Sequence, residues 1–362
     1  MKILRVINSL QAGGAERSLA GNVPLHNKNG YQTDILLLSD KDSFFLEVLK
    51  NENVKIYSLH AKNIYNPLLV FKLIKYFKKY DIVHAHLFPS IYWVALARIL
   101  SSPKPKLVLT EHNTSNKRRN IKIFKFIDKL IYNQYERIIS ISEATSSLLD
   151  LYINIGKKIV TVPNGIDIIN FRKRLNDSKK DILNISNDKK VIVQIASFSH
   201  QKDQDTVIKS MLYLTSDYFL VLVGVGERLE LCKELAMQLK VDNRVFFLGL
   251  RKDIAEIINV SDIVVLSSHY EGFGRAAVEG MAMGKPTIVS NVPGLAEVVK
   301  GAGLLFESGN SEQLASYISR LINDRHYYKL ISSKCYKRSE LFDIRTMVDS
   351  YEKVYKSLIS QP

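Results

Sequence analysis

Short apolar runs alternate with amphipathic segments along most of the chain, and this alternation predicts the fold. The runs are rich in Val, Ile and Leu, which is typical of strands that are buried on both faces of a parallel sheet. In the N-terminal half the runs lie at 3–7, 31–38, 54–57, 81–85, 106–110 and 137–141. In the C-terminal half they lie at 191–195, 219–223, 245–248, 263–266 and 287–290.

Helical periodicity fills the intervals between these runs. Residues 67–79 and 90–100 have apolar positions at helical spacing, and a further helix is expected from Ala15. Strands that alternate with helices predict βαβ units around parallel sheets. The expected fold class is therefore α/β, with two doubly wound, Rossmann-like domains that face each other across a cleft, where the ligand would bind.

The two halves are joined by a segment of different composition. Residues 172–190 are poor in large apolar side chains and rich in Lys, Asp, Asn and Ser, which predicts an interdomain linker. The predicted domains are residues 1–170 and 188–344, and a helix at about 345–360 is expected to pack back on the first domain. The preceding Pro163-Asn-Gly-Ile-Asp167 is a turn signal, which predicts either an interdomain hinge or a simple turn.

The net charge of +15 is distributed unevenly over the 362 residues. Residues 1–165 hold 24 Lys and Arg against 12 Asp and Glu, so the excess lies almost wholly in the N-terminal half. A one-sided basic surface predicts a polyanionic partner, such as anionic lipid, nucleic acid or a pyrophosphate-bearing substrate. Nucleic acid is not favoured, because the chain has no basic motif interleaved with aromatic residues.

Two predicted helices carry much of this charge. On a helical wheel of residues 117–131, one stripe consists of Arg118, Lys122, Lys125 and Lys129. The apolar residues assigned to the opposite side are Ile123, Phe126, Ile127, Leu130 and Ile131. Residues 67–79 repeat this plan. The pattern predicts either helices that pack on a sheet and expose a basic face, or peripheral docking on anionic lipid.

The cysteines and the N-terminus bear on the compartment. Cys232 and Cys335 lie far apart and outside any C-x-x-C pattern, so neither a disulfide framework nor a zinc site is expected. Asn8 and Ser9 interrupt the first apolar run, so no secretory signal is expected, and no apolar run is long enough to predict a membrane span. The expected location is the cytoplasm, peripherally on the inner face of the membrane.

The strongest chemical signal is the segment from Glu271 to Glu279, which lies between two strand patterns. Gly272 and Gly274 allow the backbone to turn sharply and to approach a ligand closely. A helix that begins near Arg275 presents unpaired N–H groups and a partial positive charge at its N-terminus. Together with the two carboxylates, this N-terminus suits a phosphorylated sugar.

Candidate residues in the N-terminal half follow three strands. Gly13 and Gly14 come after the first strand, where they permit either close approach to a ligand or a plain strand-to-helix turn. His84 and His86 alternate onto one face at the end of another strand, where sheet ligands gather. His112 occupies the equivalent end of the next strand, as a weaker candidate.

The C-terminal half adds one cation and two motifs that fail. Ser197 and Lys202 follow the strand at 191–195, and a lysine is suited to a pyrophosphate, although most single lysines are simply surface residues. Gly224-Val-Gly226 lacks the third glycine of a dinucleotide fingerprint, since position 229 is Leu. Gly280 to Pro286 lacks the spacing and the hydroxyl residue of a phosphate-binding Walker loop.

Taken in order, these motifs resemble those of retaining glycosyltransferases of family 4, of the bacterial surface-polysaccharide type, which have the GT-B fold. The resemblance covers nearly the whole chain. It is carried by 13–17, 81–86, 110–112, 140–144, 163–167, 201–203, 224–227, 247–249 and the segment from Glu271 to Glu279. The last of these is highly specific, and the others gain weight as an ordered set.

The resemblance implies a role for each candidate residue. Glu279 is expected to hold the donor ribose, Glu271 to contact the transferred sugar, and amides around Phe273 and Gly274 to hold sugar and pyrophosphate. Lys202 is expected to neutralise the leaving diphosphate, and Gly14 to let its loop reach the same phosphates. His86 is expected near the reacting anomeric carbon, and backbone near Arg251 at the base. Catalytic roles fall to His86, Glu271 and Lys202, and no metal or other cofactor is implied.

The implied reaction moves a sugar from a nucleotide diphosphate sugar to a hydroxyl of a lipid-linked or saccharide acceptor. A UDP-sugar is favoured over a GDP-sugar, with the acceptor in the first domain and the donor in the second. The chain departs from the family at Ser197, where an arginine is common, and Arg275 is a candidate replacement. The alternatives are a sugar-nucleotide epimerase with a GT-B-like fold and a non-catalytic sugar-binding or nucleic-acid-binding protein.

Overall fold

The computed structural model describes residues 1–11, 13–41, 43–114, 117–173 and 178–360. The strands, in chain order, are β1 (Lys2–Ile7), β2 (Gln32–Leu37), β3 (Ile56–Ser58), β4 (Ile82–His86), β5 (Lys106–Glu111), β6 (Arg137–Ser140), β7 (Ile159–Thr161), β8 (Lys190–Ile195), β9 (Tyr218–Val223), β10 (Val245–Phe247), β11 (Ile263–Leu266), β12 (Thr287–Ser290) and β13 (Leu304–Phe306).

The helices, numbered in the same way, follow the predicted alternation. They are α1 (Gly14–Lys28), α2 (Leu46–Asn51), α3 (Leu69–Phe77), α4 (Ser90–Leu100), α5 (Lys122–Asn133), α6 (Glu143–Ile153), α7 (Ile168–Phe171), α8 (Lys179–Leu183), α9 (Gln204–Ser210), α10 (Leu229–Gln238), α11 (Ile254–Val260), α12 (Arg275–Ala282), α13 (Pro293–Val299), α14 (Ser311–Asn323), α15 (Arg325–Ser339) and α16 (Ile344–Ile359).

The chain divides into two compact units, and it crosses from one unit to the other after Gly165 and again before Ile344. The first unit is Met1–Gly165 with Ile344–Pro362, and the second is Ile166–Asp343. This division differs from the linker predicted at 172–190, whose described residues belong to the second unit. Arg172 Nε donates to the Ala282 carbonyl at 3.2 Å, and Arg172 Nη2 donates to the Tyr336 carbonyl at 3.0 Å. Hydrogen bonds from Arg172 hold this part of the segment on the second unit, so its low content of apolar residues did not indicate a linker.

The first unit is built on a parallel sheet with strand order β3-β2-β1-β4-β5-β6-β7. Every strand predicted in this half is present, and the order of its first six strands is that of a Rossmann-like sheet. The prediction missed β7, which pairs with β6 in parallel. Its apolar run has only three residues, Ile159–Thr161, which is shorter than the runs that predict a strand.

The last helix completes the core of the first unit. Ile344, Met347, Tyr351 and Tyr355 lie at helical spacing along α16 and pack in one buried cluster with Ile3 of β1. The helix therefore covers the sheet face formed by β1, β4 and β5. This packing brings two tyrosines from the end of the chain against the strands that carry the candidate histidines.

The second unit is a parallel sheet with strand order β10-β9-β8-β11-β12-β13. The prediction missed β13, a three-residue edge strand with only one buried position, Phe306. Helices separate the strands as expected, which confirms an α/β fold with two Rossmann-like domains. Cys232 and Cys335 are buried free thiols in this unit.

Candidate functional site

Three glycines in and around α12 leave no room for a side chain, and together they fix the turn that precedes this helix. Gly274 precedes the helix with φ 81°, and a Cβ there would overlap the Leu295 side chain. At Gly280 a Cβ would lie 2.6 Å from Val264 Cγ2, so α12 rests directly on β11. A Cβ at Gly294 would overlap the Glu271 carbonyl oxygen, so the start of α13 holds the turn from its other side. The predicted helix start at Arg275 is confirmed.

Lys202 and Glu271 meet although 69 residues separate them. Lys202 Nζ forms an ion pair with Glu271 Oε2, and the two side chains are only 18% and 13% exposed. Gln201 joins the same two loops, because its Nε2 donates to the Tyr270 carbonyl at 2.9 Å. The site therefore contains a cation and a carboxylate that are held together before the first turn of α12.

The loop that carries Lys202 is anchored from below by buried amides. Gln194 Nε2 donates to the Lys202 carbonyl at 2.8 Å, and Gln204 Nε2 donates to the Ser197 carbonyl at 2.9 Å. Both glutamines are almost fully buried. Sequence reasoning missed Gln194, although a glutamine within an otherwise apolar buried strand is a visible signal.

Glu279 lies on α12 and is 1% exposed. Its Oε1 lies 3.8 Å from Arg275 Nη2, one helical turn earlier. A carboxylate with so little access to water needs a cation or donors nearby. Arg275, the candidate replacement for the arginine that is missing at Ser197, is therefore within reach of the predicted ribose-binding residue.

The remaining candidates of the second unit differ in exposure. Ser197 is exposed, whereas Phe273 is buried and packs edge-to-face with Phe342 at 5.4 Å between ring centroids. Because the Phe273 ring is buried, the role that the resemblance implies for this residue falls to its backbone N–H group. Arg251 Nε donates to Asp253 Oδ1 at 2.7 Å, and its Nη2 donates to the other carboxylate oxygen. This fork lowers the pKa of Asp253.

The failed dinucleotide fingerprint has a structural explanation. A Cβ at Gly224 would overlap the Ala196 carbonyl, and one at Gly226 would overlap the Phe198 carbonyl. The loop after β9 therefore packs backbone to backbone on the loop after β8. These glycines shape the neighbourhood of Lys202 rather than forming a separate nucleotide-binding turn.

In the first unit, Gly13 precedes α1 and Gly14 is its exposed first residue. A Cβ at Gly13 would overlap the carboxylate of Glu16, which folds back over the N-terminus of the helix. Burial raises the pKa of the Glu16 carboxyl. An acidic side chain therefore occupies the position above Gly13, and the close approach of this loop to a ligand stays a prediction.

The candidate histidines of the first unit form one cluster. The rings of His84 and His86 stack at 4.4 Å, and His86 Nδ1 lies 3.1 Å from His112 Nε2. The prediction that His84 and His86 share a face is confirmed. Arg5, which the sequence analysis did not single out, donates from Nε to His86 Nε2 at 3.1 Å.

Burial and the nearby guanidinium both disfavour a protonated histidine in this cluster. Burial, followed by the charge of Arg5, lowers the pKa of His112 to about 3 and that of His26 to about 3. The same two causes lower the pKa of His86 and of His84 well below the usual value. The cluster is therefore neutral at physiological pH, which favours positioning and hydrogen bonding over proton donation.

The amphipathic helix α5 departs from its predicted arrangement. Arg118 belongs to no exposed stripe, since its Nη2 lies 3.2 Å from Asp128 Oδ1 and its guanidinium lies 4.2 Å from the Phe88 ring centroid. The apolar side chains do not all face the sheet either: Ile123 is 60% exposed and Phe126 63%. The helix buries Asp128, Ile131 and Tyr132. The charge of Asp128 is satisfied by Arg118 and by the hydroxyls of Tyr92 and Tyr152.

Across the described ranges, no helix combines the length and the apolar character needed to cross a bilayer. Within the same ranges, no group of three or more His, Cys, Asp or Glu residues has an arrangement that could hold a metal ion.

Two family models match the chain, one on each half. Residues 12–169 match the model described as Glycosyltransferase Family 4, and residues 176–338 match the model described as Glycosyl transferases group 1. Together the two models cover most of the chain. The chain is a glycosyltransferase. The Lys202–Glu271 pair and the start of α12 lie in the half of the chain that matches the group 1 model.

Curated relatives extend over most of this glycosyltransferase. It is 27% identical over 331 residues to N-acetyl-alpha-D-glucosaminyl L-malate synthase of Bacillus anthracis, covering 87% of this chain and 84% of the relative. It is 28% identical over 319 residues to UDP-Gal:alpha-D-GlcNAc-diphosphoundecaprenol alpha-1,3-galactosyltransferase of Escherichia coli, covering 82% and 80%.

Solved structures share the fold of this glycosyltransferase. Anabaena HepE in complex with UDP and glucose has a TM-score of 0.90 at 24% identity, with 99% of this chain and 100% of that one covered. Sucrose-phosphate synthase of Thermosynechococcus elongatus has a TM-score of 0.85 at 18% identity, with full coverage of both chains. The fold class predicted from the sequence is confirmed.

Proposed function

We propose that this glycosyltransferase moves a sugar from a nucleotide diphosphate sugar to a hydroxyl of a lipid-linked or saccharide acceptor, with retention of configuration. The observation that carries the proposal is the ion pair between Lys202 and Glu271 beside the N-terminus of α12. A cation, a carboxylate and the positive end of a helix dipole at one place suit a sugar attached to a diphosphate.

The names of similar proteins support the choice of donor and acceptor. HepE was solved with UDP and glucose, and the Escherichia coli relative is named for UDP-Gal and a diphosphoundecaprenol acceptor. A UDP-sugar is therefore our preferred donor, with a GDP-sugar as the second choice. The proposed acceptor is a lipid-linked precursor of a surface polysaccharide.

The proposed chemistry assigns a role to each charged group. The bond between the anomeric carbon and the donor phosphate oxygen breaks, and a bond to the acceptor oxygen forms on the same face. The acceptor hydroxyl proton passes to the leaving phosphate oxygen. Lys202 and the N-terminus of α12 stabilise the negative charge that develops on the leaving diphosphate, and because they are already in place, little reorganisation is needed.

Glu279, Glu271 and Arg275 complete the proposed donor site. Glu279 accepts hydrogen bonds from the ribose hydroxyls, and Glu271 accepts them from the transferred sugar. Arg275 takes the role of the arginine that the family resemblance implies at the position of Ser197. Ser197 and the backbone near Arg251 line the phosphate and base positions, and Gly13 and Gly14 let the first loop approach the same phosphates. His86 and His112 lie beside the reacting sugar.

We propose that Lys202 and the helix N-terminus neutralise the diphosphate, so that transfer needs neither a metal ion nor another cofactor. Excess EDTA should then leave the initial rate unchanged. A rate that falls with EDTA and returns with a divalent cation would contradict this part of the proposal.

The first unit is proposed to bind an anionic membrane surface on the inner face of the cytoplasmic membrane. Two parallel stripes of α5 are exposed, and together they are called the α5 surface: Lys122, Lys125 and Lys129, with Ile123, Phe126 and Leu130. Lysines beside unpartnered apolar side chains fit a bilayer of anionic lipid, because the cations attract headgroups while the apolar groups insert.

Nucleotide release tests the proposed reaction. The purified protein is incubated with UDP-, GDP- and ADP-sugars, with and without a lipid-linked saccharide acceptor, and free nucleotide is followed. Acceptor-dependent release of UDP is the expected result. Interconversion of the donor without acceptor would instead identify an epimerase, and binding without either reaction would identify a non-catalytic protein.

A further inference from the structure

Arg5 is an unusual residue for its position in the fold. It lies in β1, between β2 and β4 in the middle of the first sheet, and it is 0% exposed. No carboxylate within the described ranges lies within ion-pair distance of its guanidinium. Burying a guanidinium without a counter-charge is costly, so its neutral partners must each be well placed.

Those partners come from three elements. Arg5 Nη1 donates to the Tyr355 hydroxyl of α16, and Nη2 lies 3.5 Å from Asn22 Oδ1 of α1. The guanidinium carbon lies 5.2 Å from the Tyr351 ring centroid. The Nε–H group donates to His86 Nε2 at 3.1 Å. The guanidinium is thus fixed on both edges, and its direction toward His86 is set by the packing of the helices.

A guanidinium can only donate, and this decides the state of His86. Because Nε of Arg5 donates, Nε2 of His86 must accept and carries no proton. A neutral His86 therefore has its proton on Nδ1. That N–H faces Nε2 of His112 at 3.1 Å, so Nε2 of His112 must accept in turn. The proton of neutral His112 is left on Nδ1.

Both ring nitrogens of His86 are therefore engaged inside the protein, and the chain of donors ends at His112. His112 follows β5 and is half-buried, whereas His86 is 2% exposed. Within the described part of the chain, no partner faces His112 Nδ1. The end of the relay is the ring with the greater access to a ligand.

We infer that Arg5 is a positioning residue, which fixes the Nδ1–H tautomers of His86 and His112 and makes His112 Nδ1–H a preset hydrogen-bond donor. The inferred ligand of this donor is an oxygen of the reacting sugar, and that part rests on the proposed function. The tautomers themselves follow from the contacts of the first unit and need no substrate.

Among the described residues, Arg5 is the only charged side chain that forms a hydrogen bond with His86. His84 is held by the Tyr355 hydroxyl at Nδ1 and by Thr110 Oγ1 at Nε2, both at 2.7 Å. The titratable groups of α1 and α16 that pack near this cluster are His26, Tyr351, Glu352 and Tyr355. Glu352 is engaged by His26 and Asn29, away from His86.

Nitrogen NMR of the ¹⁵N-histidine-labelled full chain tests the inference without any substrate. The ring signals are assigned with His86→Gln and His112→Gln variants. We expect both rings to be neutral Nδ1–H tautomers between about pH 6 and 8, against an ordinary histidine pKa of about 6.5. An Nε2–H tautomer at either ring in the wild-type protein would overturn the inference, and this measurement requires no Arg5 variant to fold.

Variants of Arg5 then test the cause. In Arg5→Met the side-chain volume is nearly kept while the donor and the charge are lost, so His86 should show mixed tautomers and take up a proton at higher pH. Arg5→Leu, which also lacks a donor and a charge, serves as a second variant if Arg5→Met does not fold. Asn22→Ala is the matched control, since it removes an Arg5 partner but leaves Nε free to donate to His86. Unchanged tautomers in both Arg5 variants would refute the role.

A ligand titration tests the final step. The nucleotide sugar that releases nucleotide in the transfer assay should shift the His112 Nδ1–H signal, whereas the free nucleotide should not. In kinetics, Arg5→Lys should lower kcat by about 10-fold to 100-fold, since a misplaced positioning group has effects of this size. A signal that responds to neither compound would remove the sugar contact, and failure of all nucleotide sugars would remove the proposed function while the tautomer result stands.

Discussion

Lys202 Nζ and Glu271 Oε2 form an ion pair in the second unit, between the loop after β8 and the turn before α12. Each group is thereby held in place, and each would be left with a partly buried, unpaired charge if the other were removed. The pair also means that the two predicted donor-site residues cannot be tested independently. A diphosphate at this site would compete with Glu271 for the same ammonium group.

The first prediction concerns this coupling. Lys202→Ala should lower turnover by about tenfold or more, because one preorganised charge on the leaving group is lost. The double variant with Glu271→Ala should be less impaired than the sum of the single effects, since the two groups contact each other. Initial rates of nucleotide release and a thermal unfolding curve measure both effects. Lys209→Ala, on the exposed side of α9, is the matched control, and wild-type turnover in Lys202→Ala would contradict the assignment.

A second prediction concerns Glu279, the buried carboxylate of α12. Glu279→Ala should weaken nucleotide binding and lower turnover by about tenfold or more, because hydrogen bonds to a charged acceptor are strong. The thermal shift produced by UDP measures binding, since a ligand that binds only the native state raises its stability. Glu234→Ala, an exposed glutamate of α10, should behave as wild type. An unchanged UDP shift in Glu279→Ala would rule out a donor-binding role.

Gly274 and Gly309 provide a matched pair for testing the turn before α12. Their φ values are 81° and 85°, but only at Gly274 would a Cβ meet another side chain, whereas at Gly309 nothing lies within 4 Å. Gly309→Ala should cost about 1 to 2 kcal/mol of unfolding free energy, and Gly274→Ala about 2 to 5 kcal/mol. Urea denaturation gives both values. Equal losses would show that the Leu295 contact adds nothing to the backbone strain.

The α5 surface predicts salt-sensitive membrane binding. Replacing Lys122, Lys125 and Lys129 with Gln should weaken binding to anionic vesicles by about 1 kcal/mol per lysine. Phe126→Ser with Leu130→Ser should weaken binding further through lost insertion. The control triple variant replaces Lys329, Lys334 and Lys337 of α15, which are exposed in the second unit. Co-sedimentation at low and high salt is the measurement, and equal binding of wild type to neutral vesicles would refute lipid docking.

The buried histidines predict a loss of stability in acid. Their folded pKa values lie below the unfolded value, so the unfolded chain binds more protons between these limits and stability falls as the pH falls. For His26 and His112, with pKa values of about 3, the loss begins below about pH 6.5 and amounts to about 2 kcal/mol each at pH 5. Urea midpoints at pH 7 and pH 5 measure this. His26→Gln should lose less on acidification than wild type, and an identical loss would contradict the assignment.

Much of the fold follows from local pattern. Apolar runs such as 81–85 and 106–110 became β4 and β5, because strands buried on both faces need continuous apolar sequence. The strands β7 and β13 escaped prediction, since each has only three residues and so gives too short a run to identify a strand. The pattern of α5 was also misleading, because a helical wheel identifies an apolar stripe but not the side that finds a partner.

The donor site likewise combines features that are local in sequence with contacts between distant residues. The sequence by itself determined the turn at Gly274 and the start of α12, since a glycine with positive φ and the helix that follows it are local features. Only the tertiary structure decided that Lys202 contacts Glu271, and that Arg5 and Tyr355 meet the histidines. Such contacts join residues that are distant in sequence, and their geometry depends on sheet register and helix packing, which no local pattern specifies.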